Sequence, residues 1–190
     1  MKPRIVSIVG KKKSGKTTLL VRVVEELVRR GYRVGTIKHN RHGFEIDREG
    51  TDSYRHFHAG AEVSAIVGPE KHAMVRRHEA EPELSEFVRE HFGGVDIVVT
   101  EGFKSLSFPK IETFRSAAHE RALCEEGEDK WLAVASDVEL RVPIRRHTLD
   151  DVKGITDLIE DKILGKKRVS RGDAEQQRRK KTRAKSGKGK

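Results

Sequence analysis

The sequence predicts an α/β domain with a mostly parallel sheet flanked by helices. Short apolar runs rich in β-branched residues, such as Ile5–Val9 and residues 95–100, are typical of central strands covered on both faces. Amphipathic segments lie between such runs. In the first of them Leu20, Val24 and Leu27 share one helical stripe. The alternation of strands and helices indicates parallel pairing.

The remaining elements follow in chain order. Strands are predicted at 33–38, 62–68, 72–76, 110–114 and 131–135, and helices at 51–60, 82–92 and 149–164, with a loop rich in Gly, His and Asp at 39–50. We divide the chain into a folded domain, residues 1–165, and a basic tail, residues 166–190.

The net charge of +10 comes from this tail. It holds 12 Lys or Arg and 2 Asp or Glu, which leaves 28 basic and 28 acidic residues in the rest of the chain. The tail has too few apolar residues to bury a core and is predicted to be disordered. It has no aromatic residue for base stacking. Specific nucleic-acid binding is therefore not predicted, and weak association with RNA is the most that the tail suggests.

Composition limits the class of protein. No apolar run approaches the roughly 18 residues that span a bilayer, so we expect no membrane association and a cytoplasmic location. The single cysteine, Cys124, excludes an internal disulfide and a multi-cysteine metal site.

Residues 10–17 match the phosphate-loop pattern G-x-x-x-x-G-K-(S/T), directly between a predicted strand and a predicted helix. The predicted phosphate-binding residues are Gly10, Lys11, Lys12, Lys13, Ser14, Gly15, Lys16, Thr17 and Thr18. Loop amides and the helix N-terminus attract phosphate oxygens. Lys16 would reach the β- and γ-phosphates, and the Thr17 hydroxyl would ligate Mg²⁺. The domain is thus predicted to be of the P-loop NTPase type. Lys11 is either an extra phosphate lysine or one of three exposed loop lysines.

A phosphate loop needs a carboxylate at the end of a neighbouring strand for the magnesium shell. Glu101 follows the 95–100 strand and is the first candidate. Asp96 is the alternative, but it stands at the start of that strand, away from the carboxyl edge where ligands bind.

The loop after the second strand is rich in cations. Lys38, His39 and His42, with Arg41, are candidates for binding phosphates or a second anionic ligand, and Asp47 is a candidate for the magnesium shell or for orienting water. His39 and His42 also resemble a metal-ligand pair. However, further ligands for a transition metal are not obvious nearby. Solvated loop histidines are the third interpretation.

In combination these motifs resemble the MobB family of molybdopterin guanine dinucleotide biosynthesis. The likeness rests on GKKKSGKTTLL at 10–20, TIKHNRHGFEID at 36–47, GTDSYRHFHAGA at 50–61, VVTEGFK at 98–104, PKIE at 109–112 and AVASD at 133–137. It spans about residues 1–163. Two departures are the interruption of the histidine pair by Arg41 and the tail, for which the family has no recognised counterpart.

The resemblance implies GTP and Mg²⁺ as cofactors, weak GTPase activity and molybdopterin as a second ligand. It also implies a homodimer that acts beside a MobA-like nucleotidyltransferase, which attaches GMP to molybdopterin. Lys16, Glu101 and Asp47 would be the catalytic residues, with Thr17, Glu101 and Asp47 around the metal. The chain lacks an Asn-Lys-x-Asp tetrapeptide, so Asp137 is the candidate for binding guanine.

Three alternatives remain open. A small-molecule kinase would need a lid with arginines, for which Arg145 and Arg146 are candidates without a lid-like helix. A metal-insertion GTPase of the same class usually has a richer Cys/His cluster. A nucleic-acid-binding protein would depend on the tail. No arginine finger is evident, which predicts slow hydrolysis. Lys104, Lys110 and Arg115 are interpreted as surface charges.

Overall fold

The computed structural model describes residues 4–127 and 130–165. They form two compact units. The sheet unit consists of the chain up to His39 and from Phe92 onward, and the hairpin unit consists of Asn40–His91. The predicted disordered tail, residues 166–190, lies outside the described residues.

The secondary structure follows the predicted order. The elements are β1 (Ile5–Val9), α1 (Lys16–Arg29), β2 (Val34–Lys38), α2 (Asp52–His58), β3 (Val63–Val67), β4 (His72–Arg76), α3 (Leu84–His91), β5 (Ile97–Glu101), β6 (Lys110–Phe114), β7 (Trp131–Ser136), β8 (Arg145–Thr148) and α4 (Val152–Ile159), the last continued by a wider π turn (Glu160–Leu164). Strand β8 was not predicted, because its sequence, Arg-Arg-His-Thr, has neither an apolar run nor apolar alternation.

The sheet unit contains a six-stranded sheet in the order β2-β5-β1-β6-β7-β8. All five strand pairings are parallel, which confirms the predicted fold class. In register, Ile8 lies beside Glu101 of β5 and beside Ile111 of β6. The carboxyl ends of these strands therefore meet at one edge, where ligands bind in parallel sheets.

The core of the sheet unit lies between β1, α1 and α4. Every residue of β1 is buried, and α1 contributes Val23 and Leu27, both fully buried. Helix α4 adds Ile155 and Ile159, also fully buried. Each such side chain stabilises the fold by about 2 kcal/mol. This packing holds the start of α1 against the carboxyl edge of the sheet.

Strand β6 carries two buried charged residues, Lys110 and Glu112. The interpretation of Lys110 as a surface charge was wrong, because β6 is an interior strand paired with β1 and β7. The Glu112 carboxylate accepts hydrogen bonds from the amides of Leu123 and Cys124 at 2.7 and 2.8 Å. Burial, together with the neighbouring Glu112, raises the pKa of Cys124 to about 12. That thiol therefore stays protonated and unreactive at neutral pH.

The hairpin unit contains α2, α3 and the antiparallel pair β3–β4. The hydroxyl of Thr51 caps α2 by accepting from the amide of Tyr54 at 3.4 Å. On the outer face of the hairpin, Val63, Val67 and Met74 are exposed. Such an apolar face is typical of an interaction surface.

An ion-pair cluster joins α1 to α4. The Arg30 guanidinium, whose side chain is 14% exposed, lies 2.6–2.7 Å from Glu26, Asp157 and Glu160. We expect Arg30→Ala to lower the free energy of unfolding by about 2 kcal/mol, because three carboxylates lose their shared partner. Arg29→Ala is the control and should lower it much less, because that side chain is 71% exposed and exposed ion pairs contribute little to stability. Urea denaturation at pH 7 measures both, and equal losses would contradict the prediction.

The same cluster predicts a pH dependence. Hydrogen bonds from Arg29 and Arg30 lower the pKa of Glu26 from 4.5 to about 2. A carboxylate whose pKa is lower in the folded protein than in the unfolded chain stabilises the fold at pH values above its unfolded-state pKa. That stabilisation is lost as the pH falls through its folded-state pKa. The stability difference between wild type and Arg30→Ala should therefore shrink between about pH 4.5 and pH 2. A difference that is constant over that range would contradict this assignment.

Candidate functional site

The phosphate loop passes from the end of β1 into α1 and is held by β6. Gly10 has φ +151°, and a Cβ there would lie only 2.4 Å from the carbonyl oxygen of Thr113. Glycine is therefore required at this position. The Ser14 side chain is buried, and its hydroxyl lies 2.9 Å from the Thr113 hydroxyl. These contacts hold the loop backbone in place against the sheet.

Lys16 is the first residue of α1, and its ammonium group lies over the loop. Nζ donates a hydrogen bond to the carbonyl oxygen of Lys11 at 2.8 Å. Burial lowers the pKa of Lys16, and the nearby Lys38 acts in the same direction, while Glu101 opposes the shift. A partly desolvated cation at a helix N-terminus attracts anions strongly.

Thr17 and Glu101 meet at the same edge. The Thr17 hydroxyl donates to Glu101 Oε2 at 2.9 Å, and Lys38 Nζ lies 3.7 Å from Oε1. The Glu101 side chain is 12% exposed. A hydroxyl and a carboxylate side by side are hard oxygen donors of the kind that Mg²⁺ takes beside phosphates. The alternative, Asp96, instead accepts from the amide of Arg33 at the far end of the strand.

His39 lies next to this pair. Its amide donates to the carbonyl oxygen of Glu101 at 2.9 Å. Its ring stacks on Phe103, with ring centroids 4.4 Å apart and planes 13° apart. Lys38 and His39 thus belong to the edge that carries Thr17 and Glu101.

Two predicted site residues lie in the hairpin unit. The amide of His42 donates to the side chain of Asn40 at 3.1 Å. Hydrogen bonds, first from Ser53 and then from Arg48 and Thr51, lower the pKa of Asp47. Their predicted roles toward phosphate and magnesium stay predictions. No group of three or more His, Cys, Asp or Glu side chains suited to a metal ion occurs in the part of the chain that the structure describes.

Asp137 follows β7 at the carboxyl edge. Its Oδ1 accepts from the amide of Ser116 at 2.9 Å. It also lines a cavity of about 370 Å³, together with Ser136, Val138, Glu139 and His147. Its predicted contact with guanine stays a prediction.

The segment after β6 contacts the phosphate loop at several points. Lys11 Nζ donates to the carbonyl oxygen of Arg121 at 2.9 Å and lies 3.2 Å from Glu126 Oε1. His119 Nε2 lies 2.6 Å from the carbonyl oxygen of Lys12. Sequence reasoning missed a further contact, that of Arg115 with the loop at Gly15. The position of Arg115 directly after a predicted strand of the parallel sheet was the signal that could have found it.

Comparison with known proteins assigns the family. Residues 5–137 match the family model of molybdopterin guanine dinucleotide synthesis protein B, known as MobB. The chain belongs to the MobB family. This confirms the resemblance drawn from the sequence motifs.

Individual MobB relatives agree. The molybdopterin-guanine dinucleotide biosynthesis adapter protein of Escherichia coli strain K12 is 34% identical over 149 residues, which cover 77% of this chain and 85% of that protein. The protein of the same name from Haemophilus influenzae is 31% identical, over 83% of this chain and 88% of its own. The crystal structure of Bacillus subtilis MobB superposes with a TM-score of 0.68 at 26% identity, covering 86% of this chain and 99% of that one.

Across residues 4–127 and 130–165, none of the helices is both long enough and apolar enough to cross a bilayer. The cytoplasmic location stays a prediction.

Proposed function

We propose that this MobB-family chain is a GTP-binding adapter in the formation of molybdopterin guanine dinucleotide, and that it hydrolyses GTP slowly. The observation that carries the proposal is the meeting of Lys16, Thr17 and Glu101 at a phosphate loop. The relatives named as adapters of this biosynthesis supply the pathway.

In this proposal the loop amides and Lys16 bind the phosphates. Thr17 and Glu101, whose side chains are hydrogen-bonded to each other, would hold Mg²⁺, and the ion would neutralise charge on the β- and γ-phosphates. Asp137 at the end of β7 accepts hydrogen bonds from the guanine edge, and the cavity beside it takes the base.

The second ligand in the proposal is molybdopterin, which carries a phosphate. Lys38 and His39 would bind it, and the contacts of both residues with Glu101 at the carboxyl edge support this assignment. The partner is a MobA-like guanylyltransferase, as the adapter names of the relatives suggest. The adapter would then present the nucleotide or the pterin to that enzyme.

A fluorescence titration with GTP and with ATP analogues, in the presence of Mg²⁺, tests the nucleotide part. We expect GTP to bind at least about tenfold more tightly, a difference of about 1.4 kcal/mol. A pull-down of the guanylyltransferase with and without GTP tests the adapter part. A preference for ATP would overturn the guanine assignment and favour a small-molecule kinase.

We extend the proposal to a homodimer that forms through the outer face of the hairpin. Val67 is 81% exposed there and Met74 is 46% exposed. Covering this face with a second copy would remove apolar surface from water.

We expect Val67→Glu to shift the protein from dimer to monomer. The dimer should dissociate at least about tenfold more readily, as measured by light scattering over a concentration series. Lys71→Glu, in the turn of the same hairpin, is the control and should leave the dimer intact. A monomeric wild type would contradict the proposal.

A further inference from the structure

Arg115 follows β6, the strand that holds the phosphate loop in place. An ideal Cβ on Gly15 would lie 3.2 Å from Arg115 Nε, 3.6 Å from Nη2 and 3.9 Å from Cζ. The guanidinium therefore borders the space that a side chain at position 15 would enter. Gly15 has φ +95° and immediately precedes α1. The arginine head group thus lies against the phosphate loop itself.

This guanidinium lies near the positive end of a helix. Gly15, against which it lies, is the residue before α1, and the N-terminus of a helix repels another cation. Among residues 4–127 and 130–165, no carboxylate forms an ion pair with Arg115, whose side chain is exposed. By contrast, Lys11 of the phosphate loop is paired with Glu126. A cation held near the positive end of a helix without a counter-charge is typical of an anion-binding position.

The order of the strands indicates which part of a nucleotide Arg115 meets. Along the carboxyl edge, Glu101 ends β5, the phosphate loop follows β1, Arg115 follows β6 and Asp137 follows β7. In the proposed site, Glu101 would hold the magnesium beside the γ-phosphate and Asp137 would bind the base. Arg115, which follows the strand between those of the phosphate loop and Asp137, would then meet the α- and β-phosphates.

The position of Arg115 is held by its neighbour. The amide of Ser116 donates to Asp137 Oδ1 at 2.9 Å, which ties the chain after β6 to the end of β7. The carbonyl oxygen of Arg115 also accepts from the amides of Ala118 and His119, each at 3.1 Å. The backbone that presents the guanidinium is thus ordered before any ligand arrives, which lowers the entropic cost of binding.

We propose that Arg115 is a nucleotide ligand that binds the α- and β-phosphates, an assignment that rests on the proposed nucleotide site. Because it contacts groups shared by GTP and GDP, Arg115 stabilises both complexes to the same extent. It therefore contributes to holding the diphosphate after hydrolysis, and it does not act as a finger on the γ-phosphate.

The test compares Arg115→Ala and Arg115→Lys with wild type in titrations with GTP and with GDP, at fixed salt and Mg²⁺. We expect Arg115→Ala to weaken both nucleotides by a similar factor, about 10- to 100-fold. Arg115→Lys should recover part of the loss, because the charge returns without the planar fork. Arg141→Ala removes another exposed arginine of the sheet unit and should change both affinities less than about twofold. Unchanged melting temperatures exclude a purely structural effect.

The outcomes separate this assignment from the proposed function. If the wild type binds nucleotide and Arg115→Ala binds it with unchanged affinity, only the role of Arg115 is overturned. A loss confined to GTP overturns the α- and β-phosphate assignment and moves the contact to the γ-phosphate. Wild type that binds no nucleotide overturns the proposed function, and the Arg115 assignment fails with it.

Discussion

Replacing Lys16 with alanine is expected to weaken GTP binding by about 100-fold or more, because a charge-assisted contact with two phosphates is lost. The ammonium group lies over the phosphate loop, where its bond to the Lys11 carbonyl keeps it in place. It is partly desolvated, which strengthens its interaction with an anion. A fluorescent-nucleotide titration with Mg²⁺ measures the loss directly.

Lys12→Ala is the matched control for this variant. It removes a lysine from the same loop, but Lys12 is exposed and contacts His119 through its backbone carbonyl. We expect its affinity for GTP to fall less than about threefold, through the general loss of one screened charge. If Lys16→Ala and Lys12→Ala bind GTP equally well, the loop binds anions by charge alone and the phosphate-loop assignment is wrong.

Replacing Glu101 with glutamine is expected to remove the magnesium dependence of GTP binding and to reduce hydrolysis by about 100-fold. Glutamine keeps an acceptor for the Thr17 hydroxyl, 2.9 Å away in the wild type, so the fold should be retained. The charge that attracts the cation is lost, and Lys38 loses its ion-pair partner. Titrations with and without Mg²⁺, together with phosphate release, measure the two effects.

Asp96→Asn tests the competing assignment within the same strand. Asp96 accepts from the amide of Arg33 at the amino end of β5, and asparagine keeps that acceptor. GTP binding by Asp96→Asn should depend on Mg²⁺ to the same extent as GTP binding by wild type. If Asp96→Asn loses the dependence and Glu101→Gln retains it, the carboxylate has been assigned to the wrong end of the strand.

The phosphate loop could be predicted from the sequence because it is local. Within residues 10–17, two glycines, a lysine and a threonine at fixed spacing suffice, since one turn forms the whole cradle. Glu101 could be placed because the end of an apolar strand is visible in the sequence. In contrast, β8 and the burial of Lys110 could not be predicted, because β8 forms only by pairing with β7 and Lys110 lies on a strand enclosed between β1 and β7.

By itself the sequence determined the fold class, the order of the strands and helices other than β8, the phosphate loop and the family. The first three depend on periodicity and spacing within short windows, whereas the family was recognised from the resemblance of motifs spread over residues 10–137. Only the tertiary structure decided the contacts between distant segments: Thr17 with Glu101, Ser14 with Thr113, and Arg115 with Gly15. The physical reason is that strand order and register set these distances. Residues about 100 positions apart therefore meet only once the parallel sheet has assembled.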